Sequence, residues 1–250
     1  MNVISIARIA FNRLRYGRGV AAPRKPTSEQ LAFYGRLVGP GSLVFDVGAN
    51  VGDKAAVFLA LGAHVVAFEP QPVCAKTLRK RFVGNRNLEV VEEGVADEPG
   101  ELSMSVCASA KTISTFSPDW KEGRFRDFRW DEEIVVPVTT LDEAIERFGM
   151  PSFVKIDVEG FEESVLEGLS APAGTLSFEF AREFADKTAR CLELATKIGY
   201  RGFSVALGEE PALITAGWMD TESIITFIRE SDDESLWGDI YARLEDPRSS

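Results

Sequence analysis

The stretch VFDVGANVGD, residues 44–53, ends an apolar run on Asp46 and opens at once into Gly48 and Gly52. A carboxylate is costly to bury without a partner, so an acid at the end of an apolar strand calls for a polar group just beyond it. The pattern recurs down the chain. HVVAFEP reaches Glu69, LEVVEEGVA reaches Glu93, and SFVKIDVEG reaches Asp157 and Glu159. In open α/β sheets, ligands sit beyond the carboxyl ends of the strands, where strand order reverses. Acids lined along that edge predict a ligand able to pair with them.

The spacing narrows the ligand. Gly48 and Gly52 give G-x-x-x-G rather than the G-x-G-x-x-G of dinucleotide sites, and Asn50 stands where a pyrophosphate would need the middle glycine. Glu69 lies 21 residues after Gly48, near the spacing of a ribose-binding carboxylate. The site therefore suits a nucleoside with a ribose diol and little need for a phosphate cradle, and Asp46 is able to bind a cationic amine. S-adenosylmethionine offers a ribose, an ammonium group and a sulfonium. The missing dinucleotide fingerprint argues against the competing reading, an NAD-dependent oxidoreductase on the same sheet.

Five blocks in chain order, FDVGANVGD, VVAFEPQP, GVADEPGE, VTTLDE and VKIDVEGFEESVLEG, resemble the FkbM family of S-adenosylmethionine-dependent methyltransferases. The likeness runs from about residue 43 to about 180. It implies the Rossmann-like class I methyltransferase fold, a seven-stranded and mostly parallel sheet flanked by helices, with the last strand antiparallel. It also implies O-methylation of a hydroxyl on a sugar, glycan or other small metabolite. Carried over by position, Asp46, Gly48, Asn50 and Gly52 frame the methionine part and Glu69 holds the ribose. Asp97 and the backbone of Gly94 and Val95 lie near the adenine, and Asp157 faces the transferred methyl group or the acceptor. The segment after Ser109, with KEGRFRDFRW, departs from the family pattern, and acceptor selectivity is expected there.

Transfer to a hydroxyl needs the oxygen and methyl held in near-attack geometry and a base for the proton. His64 is the one histidine, and it begins the second predicted strand, at the end away from the ligand. The base candidates are therefore carboxylates: Asp157 first, then Glu159 and Glu179. Glu159 also reads as an acid in the first turn of the next helix, and Lys155 as the partner of an acid. A divalent metal on Asp157 with Glu159 or Glu179 lacks a supporting His, so none is expected. Arg124, Arg126 and Arg129, interleaved with Phe125, Phe128 and Trp130, have the character of a stacking surface for sugars or bases.

The elements that must position these groups alternate. Strands are expected at 42–47, 64–70, 88–96, 152–160 and 174–180, with helices after each of the first, second and fourth; this is the βαβ pattern of a parallel sheet. Residues 101–106 and 134–138 alternate like strands. ATKIGYRGFSVAL reads as a helix turning into a sixth strand and ESIITFIRE as a seventh. Ser28 is the expected N-cap of SEQLAFYGRLV. The domain plan is a basic helical extension over 1–37, a methyltransferase domain over 38–230, and a C-terminal helix or tail over 231–250.

The 250 residues are 45% hydrophobic and 27% charged, an ordinary globular balance with no apolar run near membrane-spanning length. Cys74, Cys107 and Cys191 form no CxxC pair, so neither a disulfide framework nor a zinc ribbon is expected, and a reducing cytoplasm is the simplest compartment. The net charge of −11 argues against nucleic acid as a partner. The charge is uneven, however. Residues 1–37 carry +6 and the remainder −17. The opening MNVISIARIAFNRLRYGR has the character of an amphipathic basic helix, packed on the domain or touching an anionic membrane surface or a partner. A non-catalytic scaffold that keeps the fold and recruits partners through this end is the remaining alternative.

Overall fold

The computed structural model describes residues 24–245 except 108, 110–112, 124, 131, 215 and 216. The basic helix expected over the first 18 residues lies outside them, as do Lys111, Arg124 and the last five residues.

Strand β1 (Leu43–Val47) is central and buried almost throughout. It pairs in parallel with β2 (His64–Phe68) on one side and with β7 (Phe153–Ile156) on the other. β3 (Leu88–Val91) extends the sheet beyond β2, and β8 (Thr175–Ala181) extends it beyond β7, both in parallel. β10 (Trp237–Arg243) lies antiparallel between β8 and β9 (Gly202–Leu207), giving the order β3-β2-β1-β7-β8-β10-β9. Strand order therefore reverses between β1 and β7, and their carboxyl ends open the crevice where ligands bind in such sheets.

Side chains alternate along each strand, and the alternation divides the core in two. Phe45, Val47, Val154 and Ile156 face α5 (Leu141–Phe148), α6 (Glu162–Glu167), α7 (Ala185–Ile198) and α8 (Thr221–Glu230). Val44 and Phe153 face α1 (Ser28–Tyr34), α2 (Asp53–Ala60) and α3 (Pro72–Arg81). Asp46 and Lys155 share the parity of Val44 and Phe153. They are register partners, so acid and base lie side by side on the α1–α2 face.

Several expectations are corrected. Residues 88–96 do not form one strand. β3 stops at Val91, because Glu92 leaves the sheet for Arg79 and Glu93 for Arg147; Gly94–Val95 (β4) then joins a second, three-stranded sheet with β6 (Glu132–Thr139) and β5 (Gly100–Val106). The stretch 222–230 is helix α8, not a strand: the Asp220 side chain caps it at the Ser223 N–H, and Ile224 and Ile228, one turn apart, are buried. The C-terminal segment is not a helix or tail, since its residues 237–243 are a central strand of the sheet. Thr27, not Ser28, caps α1, through a capping box with Gln30. The described part of the basic extension is no appendage either, because Phe33 and Tyr34 are buried in the core and the Tyr34 hydroxyl lies 3.2 Å from that of Tyr241. Among the described residues no helix is long and apolar enough to cross a membrane.

Candidate active site

A cleft of about 260 Å³ lies at the carboxyl ends of β1, β2, β7 and β8. Gly48 follows β1 with φ +81°, and a Cβ there would come 1.9 Å from the Asp157 carbonyl oxygen. Only glycine lets the ends of β1 and β7 approach so closely. Asn50 also takes a positive φ, +50°, and its N–H donates to Glu69 Oε2 at 2.7 Å. The Gln71 N–H donates to Glu69 Oε1 at 2.8 Å. The Glu69 carboxylate is thus fixed by two backbone donors at the mouth of the cleft, with acceptor capacity remaining on both oxygens. Burial nevertheless pushes its pKa up to about 7, against those two N–H groups.

Asp46 is 1% exposed, and its Oδ2 has no hydrogen-bond partner among the described residues. Burial raises its pKa to about 6; the Lys155 charge opposes that rise and the Asp157 charge adds to it. An orphaned buried carboxylate oxygen lining a cleft marks a place for a donor from outside the chain. Gly94 and Val95 line the same cleft beyond Glu69.

Two of the expected binding residues do not line it. Gly52 instead begins α2 at φ +80°, and a Cβ there would meet the Leu78 and Phe82 side chains at 2.8 and 2.9 Å, so this glycine serves helix packing. Asp97 is drawn off by Ser164, whose hydroxyl donates to Asp97 Oδ1 at 2.6 Å; the short strand β4 has already carried the chain away.

The three catalytic candidates come together. Carboxylate oxygens of Asp157, Glu159 and Glu179 lie within 4.8 Å of one another, on three positions from two neighbouring strand ends. Lys155, 2% exposed, donates to Asp157 Oδ2 at 2.6 Å. Its own pKa is raised: the carboxylates of Asp157, Asp239 and Asp46 outweigh the burial that would discharge it. β7 ends at Ile156, so Glu159 is not aligned with Asp157 by strand geometry. It takes a left-handed backbone, φ +56°, with its carbonyl accepting from Thr115 Oγ1 at 2.7 Å. The helix-entry role belongs to Glu162, which accepts from the N–H groups of Val158 and Gly160 and whose pKa burial raises to about 7. His64, exposed at the start of β2, stands at the other end of the sheet.

The segment 107–130 differs from a displayed stacking surface. Trp120 and Phe125 are buried with Cys107 and Ile113 in a small core of their own, with Phe128, Trp130 and Phe184 packed against it. This core leans on the site: Trp120 fills the space where Gly160 would carry a Cβ, and Lys187 fastens it through Asp119 at 2.8 Å and Ser117 at 3.2 Å. The sequence reading also missed Asp239, a buried acid on β10. Burial raises its pKa, and the charges of Lys155 and Lys54 oppose the rise. The one sequence signal for it was an acid within the apolar run WGDIYAR.

Comparison with known proteins agrees with this geometry. The sheet order and the antiparallel β10 make the fold that of the class I methyltransferases. The precorrin-6y C5,15-methyltransferase of Geobacter metallireducens superposes with a TM-score of 0.50 at 11% identity, over 94% of this chain and 96% of that one. The family model of the methyltransferase FkbM domain matches residues 46–182, and the chain belongs to that family. It is 31% identical over 199 residues to the 31-O-demethyl-FK506 methyltransferase FkbM of Streptomyces tacrolimicus, covering 69% of this chain and 76% of that protein. It is 28% identical over 160 residues to the 2-O-methyltransferase NoeI of Sinorhizobium fredii, covering 58% and 65%. The chain is an S-adenosylmethionine-dependent methyltransferase. The orphaned Asp46 oxygen, the close backbone approach at Gly48 and the fixed Glu69 fit that cofactor.

Proposed function

We propose that the enzyme methylates a hydroxyl of a sugar, glycan or other small metabolite, with Asp157, Glu159 and Glu179 handling the acceptor. The observation that carries this reading is the convergence of those three carboxylates beside the cofactor cleft. Both curated relatives named above carry O-methylation in their names.

When bound, the cofactor supplies a methyl group on a positive sulfur. The rest is the work of this chain. Asp46 takes the cofactor amine, Glu69 the ribose diol, and the backbone at Gly94 and Val95 borders the adenine. Asp157, held by Lys155, accepts a hydrogen bond from the acceptor hydroxyl and aims its oxygen. Glu159 or Glu179 takes the proton as the new bond forms. The packed 107–130 segment keeps the Glu159 turn in place and shields it from water.

The test is turnover of labelled cofactor on a panel of sugars, glycosides and hydroxylated metabolites, with product linkage read by NMR. O-methyl ethers are expected, with Glu159→Gln and Glu179→Gln lowering kcat while cofactor affinity holds. Methyl groups found only on nitrogen, carbon or carboxylate oxygen would refute the reading.

A further inference from the structure

The segment Arg24–Gln30 precedes the first residue matched by the family model, yet it forms one wall of the cleft. Arg24, Lys25, Thr27 and Gln30 line it together with Gly48–Val51 and Asp53. The segment is fastened at both ends. The Arg81 guanidinium donates to the Val51 carbonyl at 2.8 Å, to Asp53 Oδ1 at 2.7 Å and to the Arg24 carbonyl, while the Arg24 N–H donates to Asp53 Oδ1 at 2.8 Å. One arginine thus ties this strap to the far end of the glycine loop. At its other end the capping box of Thr27 and Gln30 starts α1, whose Phe33 and Tyr34 are anchored in the core.

The cofactor carries a carboxylate on the same carbon as its amine. With the amine at Asp46, that carboxylate needs a cation near the glycine loop. Four cations line the cleft: Arg24, Lys25, Lys54 and Lys155. Lys155 is held by Asp157 at 2.6 Å. Lys54 sits over the Tyr34 ring with Glu209 at 3.5 Å. Arg24 reaches Asp53 at 3.5 Å. Lys25 is exposed and has no hydrogen-bond or ion-pair partner among the described residues. We propose that Lys25 binds the cofactor carboxylate and that the strap held by Arg81 is an integral part of the cofactor site. This assignment rests on Asp46 taking the amine.

The test is calorimetric titration of the full chain with S-adenosylmethionine and with its decarboxylated analogue, which keeps the amine and sulfonium but lacks the carboxylate. Lys25→Ala should weaken S-adenosylmethionine about tenfold, the scale of one charge-assisted hydrogen bond. It should leave the analogue's affinity unchanged, and Lys25→Arg should restore most of the loss. Because Lys25 is exposed and has no hydrogen-bond or ion-pair partner among the described residues, the melting temperature of the free variant should match the wild type. Unchanged affinity for S-adenosylmethionine, or an equal loss on both ligands, would overturn the proposal. Asp46→Asn separates the underlying assignment: it should weaken both ligands, and if it weakens neither, the amine role fails whatever Lys25 does.

Discussion

Glu69 and Asp157 stand at the ends of two strands that flank β1, and each presents a carboxylate to the same cleft. They are compensated differently. Glu69 is met by two backbone N–H groups, from Asn50 and Gln71. Asp157 is met by one buried side chain, Lys155. Backbone donors fix a carboxylate's position but bring no net charge, and burial still lifts Glu69 to about 7. A lysine brings a full charge, and here it serves several acids at once, since Asp46 and Asp239 feel it as well. Glu69 is therefore held by backbone geometry, and the cluster around Asp157 by a charge that Asp46 shares.

The largest expected effect follows from removing that shared charge. Lys155→Met keeps the buried stem but removes the direct partner of Asp157 and the stronger of the two lysine charges that Asp46 and Asp239 feel, leaving those two only Lys54. Breaking a buried pair costs about 3–5 kcal/mol, and the low end applies because the Asp157 side chain is 36% exposed. Urea unfolding at neutral pH should show a loss near 3 kcal/mol. A loss under about 1 kcal/mol, the level of a surface pair, would mean that Lys155 is not the common counter-charge.

Next comes Glu69→Ala. It leaves the Asn50 and Gln71 N–H groups without their acceptor, at about 1–3 kcal/mol for an unsatisfied buried group. Glu69→Gln keeps one acceptor oxygen and should lose about half as much in stability. Both should weaken cofactor binding in calorimetry. If Gln and Ala destabilise equally, position is not what Glu69 supplies.

The contrast between the two ends explains how much the sequence could tell. Asp46 and Glu69 are legible because strand, acid and glycine follow one another within a few residues, and local pattern reports local geometry. The same local reading misjudges Gly52, whose missing Cβ makes room for Leu78 and Phe82 some 26 and 30 positions on. It misplaces Asp97, because nothing in GVADEPGE announces that Ser164 will claim it. The convergence of Asp157 with Glu179 follows from adjacent strand ends. The turn of Glu159 toward them is met by the Thr115 hydroxyl, 44 residues earlier, in a segment whose aromatics suggest display but form core. β10 was missed for a similar reason: both of its neighbours, β8 and β9, lie at a distance in sequence. ESIITFIRE, rich in β-branched residues, has the composition of a strand, but the Asp220 cap and the one-turn spacing of buried Ile224 and Ile228 make it helix α8.

A smaller effect should appear as pH dependence. Asp46 is raised from 3.8 to about 6, and Glu69 and Glu162 from 4.5 to about 7. For an acid raised in the folded state, the folded chain binds more protons than the unfolded one between the two pKa values, so stability falls as pH rises across that window. The contribution of these three groups is fully present below about pH 4 and lost as pH climbs through 6 and 7. Glu69→Gln should flatten the slope of unfolding free energy against pH between 5 and 7 relative to wild type, by no more than about 1.4 kcal/mol per pH unit for one group. Cofactor affinity should run the other way, rising with pH as Asp46 ionises to meet the amine, with protons released on binding. Affinity that falls across the same window would contradict the placement of the amine.

The smallest effect, and the one that most sharpens the comparison, is Thr115→Val. At the cofactor end the non-glycine residue with positive φ, Asn50, belongs to a residue type that tolerates that region, and its N–H is spent on Glu69. At the carboxylate cluster Glu159 has no such tolerance, and its carbonyl accepts from the Thr115 hydroxyl, next to the small core of Ile113 and Trp120. Valine keeps the volume but removes both the donor to Glu159 and the acceptor of the buried Ser117 N–H at 2.8 Å, so stability should drop by about 1–2 kcal/mol. Activity should drop further than that, because the left-handed turn that brings Glu159 to Asp157 and Glu179 is then free to relax into ordinary backbone. The expected signature is a kcat lowered well beyond the modest loss of stability, with cofactor affinity nearly unchanged. If kcat falls no more than stability predicts, the Glu159 turn is set by its own loop, and the 107–130 core is a neighbour of the site rather than a support for it.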